Sequence, residues 1–241
     1  YDAEVFVKIN TGMNRLGFPT SGETASAVKN LRVLGVFTHL SSADGDDATD
    51  RRITEAQIKN FMEAELVVKN EKDVPFYAEN SAALIKYGRF FDGARIGIAL
   101  YGVNPVSGDK TPLLPVMTFR AAVIAINTVK KGDFIGYSRG YRAKKDMRVA
   151  IISTGYADGL PRALSNKGMI FCNGQFLKIV GKVSMDSVAV DAGDADVKIM
   201  DEVVVFGDEI TVTDVANRAD TLPYEILTGV SERVKRVYKN P

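Results

Sequence analysis

Two rhythms divide the chain near residue 112. Before it, short apolar runs alternate with stretches whose apolar residues recur at helical spacing; after it, apolar runs follow one another with only turns between them. In the first part Val5 to Ile9 alternates around Lys8, while Val33-Leu-Gly-Val-Phe-Thr-His39 and Phe76-Tyr-Ala78 are compact apolar runs, so each predicts a strand. Ser21 to Leu31 predicts a helix with Ala25 and Val28 on one face. A longer helix follows the loop at Ser41–Asp47 and runs to about Lys69, with Ile58, Phe61, Met62 and Leu66 as its expected apolar stripe. Asn80 and Ser81 are good N-cap residues opening a further helix, and Arg95-Ile-Gly-Ile98 reads as the end of the next strand. Strand, helix, strand, helix in this order argues for parallel βαβ units.

Past Pro112, strands are expected over Val116–Val129, Arg148–Ser153, Met169–Phe171, Phe176–Val183 and Glu202–Phe206. Lys130-Lys-Gly-Asp133 is a turn, and Asn173-Gly174 is a strong hairpin signal. Only Val212–Asn217 and Tyr224–Val234 read as helical. The fold class is therefore α/β plus all-β: a βα part over residues 1–112, then a β-rich domain over 113–241.

Composition narrows the function classes. With 31 Lys and Arg against 30 Asp and Glu, the net charge of +1 leaves no footprint for nucleic acid or an anionic membrane. One cysteine, Cys172, excludes an internal disulfide and fits a reducing compartment; with a single histidine beside it, a protein-built zinc site is not expected. No apolar run is long enough to span a bilayer and no signal peptide is visible. The sequence opens Tyr1-Asp-Ala-Glu, without an initiator methionine and almost inside a strand, so a chain cut from something longer is expected.

Candidate chemistry gathers where strands end. Arg15 lies in a glycine-bracketed loop after the first strand, His39 ends the second, Asn80-Ser81 follow the third, and Arg95-Ile-Gly97 follow next. Singly, each has an ordinary reading: a loop arginine in a surface pair, a satisfied histidine, a helix cap. Together they would converge on one rim of a βα barrel, with a cation for a carboxylate, a hydroxyl and backbone N–H groups for a phosphate, and an Arg–His pair for a heterocycle. Tyr137, in Ile135-Gly-Tyr-Ser-Arg-Gly-Tyr141, either fills a β-domain core or joins that chemistry.

The segments Lys8-Ile-Asn-Thr-Gly-Met-Asn-Arg-Leu-Gly17, Phe37-Thr-His-Leu40, Glu79-Asn-Ser-Ala82, Ala94-Arg-Ile-Gly-Ile-Ala-Leu-Tyr-Gly102, Pro115-Val-Met117, Gly136-Tyr-Ser138, Gly155-Tyr-Ala-Asp-Gly159, Gly181-Lys-Val-Ser-Met-Asp186 and Pro223-Tyr-Glu225 resemble alanine racemases, in that family's order and at similar spacing. The resemblance implies the C-terminal half of a (β/α)8 TIM barrel followed by a β-rich domain, in a head-to-tail homodimer. Pyridoxal 5'-phosphate is the implied cofactor and alanine the implied substrate, giving D-alanine for peptidoglycan in the cytoplasm. Ser81, Asn80 and the backbone of Gly97 and Ile98 would hold the phosphate region. Arg95 would face the pyridine nitrogen, supported by His39, and Arg15 would bind the phenolic oxygen and the substrate carboxylate. Lys8 matches a lysine that is carbamylated in some members, and Asn10 stands where Asp is usual. Tyr137 matches the catalytic tyrosine given to the partner's site. Met185 and Asp186 match residues reaching that site across the interface, and Tyr156, Arg162, Lys182 and Asp44 match the substrate corridor. The lysine that anchors the cofactor belongs to a segment near Val-Lys-Ala-Asn-Ala-Tyr-Gly, which these 241 residues do not contain. Near the C-terminus Glu232 falls where the family often has a tyrosine limiting substrate size. Related serine racemases, the cytoplasmic part of membrane-anchored glycopeptide-resistance proteins, also differ there. The alternatives are accordingly a serine racemase domain, a barrel-type amino-acid decarboxylase, or a non-catalytic dimerisation fragment.

Overall fold

A computed structural model describes residues 3–20, 31–69 and 73–239. The helix expected at Ser21–Leu31 falls on 21–30, outside the described residues. The chain divides into two compact units, Tyr1–Leu114 and Pro115–Pro241.

In the first unit β1 (Glu4–Lys8), β2 (Arg32–Phe37), β3 (Phe76–Glu79) and β4 (Gly93–Ala94) form a four-stranded sheet in that order, every pair parallel. Among the described residues this sheet is open, with β1 and β4 at its edges. Helices α1 (Ala48–Lys69) and α2 (Ser81–Tyr87) supply crossovers. One core cluster joins Val7, Ile9, Val36, Phe76 and Ala78 of the strand segments to Phe61, Ala64 and Val68 of α1. The Phe61 ring lies 5.4 Å from Phe76 and 4.9 Å from Phe91.

The buried stripe of α1 is Thr54, Gln57, Phe61, Ala64 and Val68, which corrects the expected one. Phe61 is central and Ile58 packs at the margin, but Met62 is 43% exposed and Leu66 71% exposed. Counting apolar residues alone misjudges the helix phase because two of the inward positions are polar, and Gln57 satisfies its amide inside.

Tyr77 explains two glycines on the sheet's other face. A Cβ added at Gly35 or Gly93 would stand 2.8 Å from the Tyr77 ring, so the ring lies flat only where neighbouring strands carry no side chain. The fourth strand is shorter than expected: β4 ends at Ala94, and Ile98–Tyr101 is a 3-10 turn. Arg95 N makes one last bond to Glu79 O at 2.7 Å, after which Gly97 (φ −118°, ψ −89°) turns the chain.

The second unit is built on six strands: β5 (Phe119–Val129), β8 (Met147–Ile152), β9 (Met169–Cys172), β10 (Gln175–Lys178), β11 (Val188–Asp191) and β12 (Glu202–Phe206). A short pair, β6 (Phe134–Ile135) and β7 (Tyr141–Arg142), stands apart. The sheet order is β10-β9-β12-β5-β8-β11, antiparallel throughout. Its outer strands meet through the Ile179–Val190 bridge and Val180 N to Ala189 O at 2.9 Å, so the sheet curls onto itself. Asn173 and Gly174 both have positive φ, as a tight hairpin between β9 and β10 requires. Strand β5 begins three residues later than expected, and β10 ends at Lys178, where the chain changes partner to pair with β11. Helix α3 (Val212–Ala219) opens on a Thr211–Asp214 capping box. Helix α4 (Pro223–Gly229) stops short of the expected Val234, because Val230 packs on Gly159 and Ser231 N bonds to Asp158 O. No helix among the described residues is long and apolar enough to cross a membrane.

Gly93→Ala should lower the unfolding free energy by about 1–3 kcal/mol, the usual cost of overpacking. Most of that loss should vanish in a Tyr77→Leu background, read as a coupling in a denaturant-melt double-mutant cycle; purely additive losses would mean that the ring does not dictate the glycine.

Candidate functional site

Three chain exits from the parallel sheet build the site. After β1 the chain doubles back, with Phe18 N bonding to Lys8 O and Asn10 N to Phe18 O, both at 2.8 Å. Gly17 makes this possible, since a Cβ there would sit 2.7 Å from Asn10 N at φ +126°. Asn10 Oδ1 accepts from Gly12 N (3.2 Å) and Asn14 N (2.9 Å), tightening the loop that presents Arg15.

After β2, Thr38 is buried and His39 half-buried. Arg95 reaches both: its Nη2 donates to Thr38 O at 3.1 Å and meets His39 Nδ1 at 2.6 Å. Its guanidinium lies 4.5 Å from the Phe37 ring centroid, within cation–π range. A guanidinium has no acceptor and does not give up its proton, so His39 Nδ1 must accept. The imidazole is therefore neutral, with its proton on Nε2. Burial, then the charges of Arg95, Arg15 and Lys8, push the His39 pKa down. Burial, Arg15 and Arg95 do the same to Lys8. Four basic groups thus share one rim, and those that shift are pushed by burial and by one another's positive charge. Such an arrangement suits an anionic ligand. A hollow of about 430 Å³ lined by Phe6, Phe37, Tyr77, Ala94 and Arg95 adjoins it on the open face of the sheet.

The third exit is the cap of α2. Asn80 Oδ1 accepts from Ala83 N (2.9 Å) and its Nδ2 donates to Leu40 O (3.1 Å), so its amide acts through the helix end it holds. Ser81, 4% exposed, turns its Oγ to Gly97 N (3.1 Å) and Ala99 N (3.3 Å). Ile98 opens the 3-10 turn between them. A Cβ on Gly97 would meet nothing within 4 Å, so space lies open over that backbone. A hydroxyl, backbone N–H groups and open space are the donor set a phosphate needs. The bond from Arg95 N to Glu79 O joins this cradle to the Arg95–His39 pair.

The second unit presents its candidates along one segment, Gly181 to Asp186. At its start the chain passes the Tyr137 turn: Cβ atoms on Gly181 and Gly140 would stand 3.0 Å from Ile135 O and 3.1 Å from Lys182 N. At its end Tyr156 N bonds to Ser184 O (3.0 Å) and Ala157 N to Met185 O (2.8 Å), while a Cβ on Gly155 would lie 2.4 Å from the Met185 carbonyl carbon. Tyr137, Tyr156, Met185 and Asp186 all lie at the surface of this unit, Tyr137 71% exposed in a 3-10 turn rather than in the β core.

Sequence reading passed over Glu79 and Gln57. Glu79 is fully buried, with Oε1 accepting from Phe91 N at 3.0 Å and from Phe90 N, which fixes the approach to β4. An acid inside a strand run, and a glutamine four residues before a core phenylalanine, were the available signals.

The profiles "Alanine racemase, N-terminal domain" and "Alanine racemase, C-terminal domain" match residues 1–105 and 116–238. The chain is 35% identical over 252 residues to an alanine racemase of Halothermothrix orenii, covering 98% of this chain and 66% of that protein. It is 37% identical over 253 residues to one from Desulforamulus reducens, covering 98% and 67%. Among solved structures, alanine racemase from Streptomyces coelicolor A3(2) superposes with a TM-score of 0.91 at 30% identity, over 99% of this chain and 67% of that one. Alanine racemase from Bartonella henselae, solved with covalently bound pyridoxal phosphate, gives 0.84 at 32% identity, over 99% and 67%. The chain spans 66% of the length of the H. orenii relative and of one from Aquifex aeolicus.

The depressed His39 pKa fixes the sign of a pH effect. Between the unperturbed value of about 6.5 and the lower folded value, the unfolded chain binds the proton more readily than the folded one. Stability should therefore be full above that window, fall as pH drops through it, and stay reduced below. Melts across pH should show this component in the wild type and lose it in His39→Gln.

Proposed function

This chain belongs to the alanine racemase family, and we propose that it supplies most of the active-site wall of a pyridoxal 5'-phosphate-dependent enzyme interconverting L- and D-alanine. On this reading residues 1–112 are the second half of the (β/α)8 barrel and 113–241 the β-rich domain of a cytoplasmic homodimer. The observation that carries it is the Arg95 guanidinium donating to neutral His39 beside the Ser81–Gly97 cradle.

The chain's own groups divide the work. Ser81 Oγ and the N–H groups of Gly97 and Ala99, now paired with each other, would turn to the phosphate. Arg95 would face the pyridine nitrogen; because the guanidinium keeps its proton, that nitrogen stays unprotonated, which limits side reactions such as transamination. When bound, the cofactor supplies the electron sink that makes the Cα proton labile. Arg15 would bind the substrate carboxylate, with Met185, Asp186 and Tyr156 of the second copy closing the corridor. Tyr137 of that copy would hold or remove the Cα proton on one face. The cations Arg15 and Arg95 would favour the phenolate, the form of that side chain able to accept a proton. The covalent anchor and the base for the other face belong to the lysine segment that these 241 residues do not contain.

Lys8 has a second part in this reading. Its lowered pKa raises the fraction of neutral amine, the form that adds to CO2. The ammonium gives up one proton to become the neutral amine, and forming the N–C bond to CO2 releases a second, so a cation becomes a carbamate anion, which would steady Arg15 and relieve the crowding of positive charge.

In the complete enzyme, Tyr137→Phe should slow Cα hydrogen–deuterium exchange from one alanine enantiomer far more than from the other; equal slowing would sink the one-face role. With 13C-labelled bicarbonate at neutral pH, a carbamate carbonyl resonance should appear in the wild type and be missing in Lys8→Arg. Its presence in both would place the modification elsewhere.

A further inference from the structure

Gln57 sits in the middle of α1, 1% exposed, and makes four hydrogen bonds beneath the rim. Its Oε1 accepts from Ser41 N and Ser41 Oγ, both at 2.9 Å; its Nε2 donates to His39 O at 3.2 Å and Thr11 Oγ1 at 3.3 Å. The orientation of the amide is dictated, because a backbone N–H can only donate and a carbonyl can only accept. From Thr11 the relay continues with fixed polarity. Thr38 Oγ1 gives its single proton to Ile9 O at 2.9 Å, so Thr11 Oγ1 is the donor in the 2.8 Å contact with Thr38 Oγ1. Thr11 Oγ1 in turn accepts from Gln57 Nε2 through a lone pair. Asn60, one turn along α1, donates to Thr11 O at 3.0 Å.

The relay ties the exit of β1, which continues to Arg15, to the exit of β2, which ends in His39. Both partners of Arg95 Nη2, Thr38 O and His39 Nδ1, belong to residues the relay holds. None of the relay groups faces the hollow beside Arg95, and none carries charge. A leucine of similar size would leave Ser41 N and His39 O without this partner and would remove the donor that ties α1 to the Thr11 hydroxyl.

We propose that Gln57 is a positioning residue that, through Thr11, Thr38 and the His39 carbonyl, sets the register between the two strand exits at which Arg95 meets neutral His39. The consequence for the ring nitrogen rests on the racemase reading; the Arg95–His39 contact itself does not.

The two can be separated in the full-length protein. His39 is the only histidine in this sequence, and its imidazole resonance is identified by its loss in His39→Gln. In the cofactor-free protein, Gln57→Met should move the His39 titration upward toward the ordinary value, as the imidazole leaves Arg95. In the loaded enzyme, kcat should drop ten- to a hundred-fold with KM for alanine little changed, and the cofactor absorbance maximum should shift. Thr11→Val, isosteric but without the hydroxyl, should move the His39 titration the same way even if Gln57→Met does not fold, and Thr11→Ser should keep the wild-type curve. His39 titrating as in the wild type in either folded variant, Gln57→Met or Thr11→Val, would overturn the proposal. A His39 shift in a protein that neither binds pyridoxal phosphate nor racemises alanine would uphold the positioning role and overturn the functional reading.

Discussion

A guanidinium that donates to an uncharged imidazole, on a rim shared with two further basic side chains, is the contact on which the first unit turns. The Arg95–His39 bond at 2.6 Å requires a neutral histidine, and burial, then the surrounding positive charge, lower its pKa in that direction. Among the described residues none of Lys8, Arg15 and Arg95 joins an ion pair, so the rim is left with an excess of positive charge. Any anion placed there gains from a field already paid for by folding. On the proposed reading, the Ser81–Gly97 turn and Lys8 acquire their meaning from that imbalance.

Holding the contact is a problem of backbone placement, because Arg95 must reach across β3 to β2. Glu79 solves one half. Its carbonyl receives Arg95 N and its carboxylate receives Phe91 N, so one fully buried residue fixes both the start of β4 and the residue that follows it. The relay from Gln57 solves the other half by fixing Thr38 and His39. The Gln57 amide makes all four of its bonds, and a buried polar group satisfied in this way specifies a single geometry, whereas Glu79 Oε2 and Arg95 Nε are buried without a partner. The apolar core beneath them, centred on Phe61 and Phe76, supplies the stability that such networks do not.

Legibility in the sequence followed the locality of each signal. Strands β1 to β3, the Asn80 cap and the Asn173-Gly174 hairpin declare themselves within a few residues, through alternation or turn chemistry. The placement of Arg15, His39, Ser81 and Arg95 just past the ends of successive strands is legible in the sequence, and the family resemblance implies a common purpose for them. What stayed hidden depends on distant partners. The phase of α1 is set by Gln57 bonding to residues on two other segments, which no apolar count can reveal. The short β4 reflects Gly97 turning its backbone toward Ser81, sixteen residues earlier. The early end of α4 reflects packing against Gly159.

The second unit carries the complementary peculiarity. Around Tyr137 the backbone runs through Gly136 at φ 74°, Ser138 at φ 54° and Arg139 at φ 54°, and the latter two are not glycines. Side chains in the left-handed region cost roughly 1–2 kcal/mol each, and such strain persists only where surrounding packing enforces it. Here the enforcement comes from the Gly181–Lys182 backbone lying against Gly136 and Gly140. The outcome is a phenol held out from the protein on a stiff turn. On the proposed reading the phenol is delivered to the cations of the first unit of another copy. On the racemase reading, then, the surplus charge around Arg95 and the strained turn at Tyr137 are two halves of one requirement, and a dimer is the arrangement that joins them.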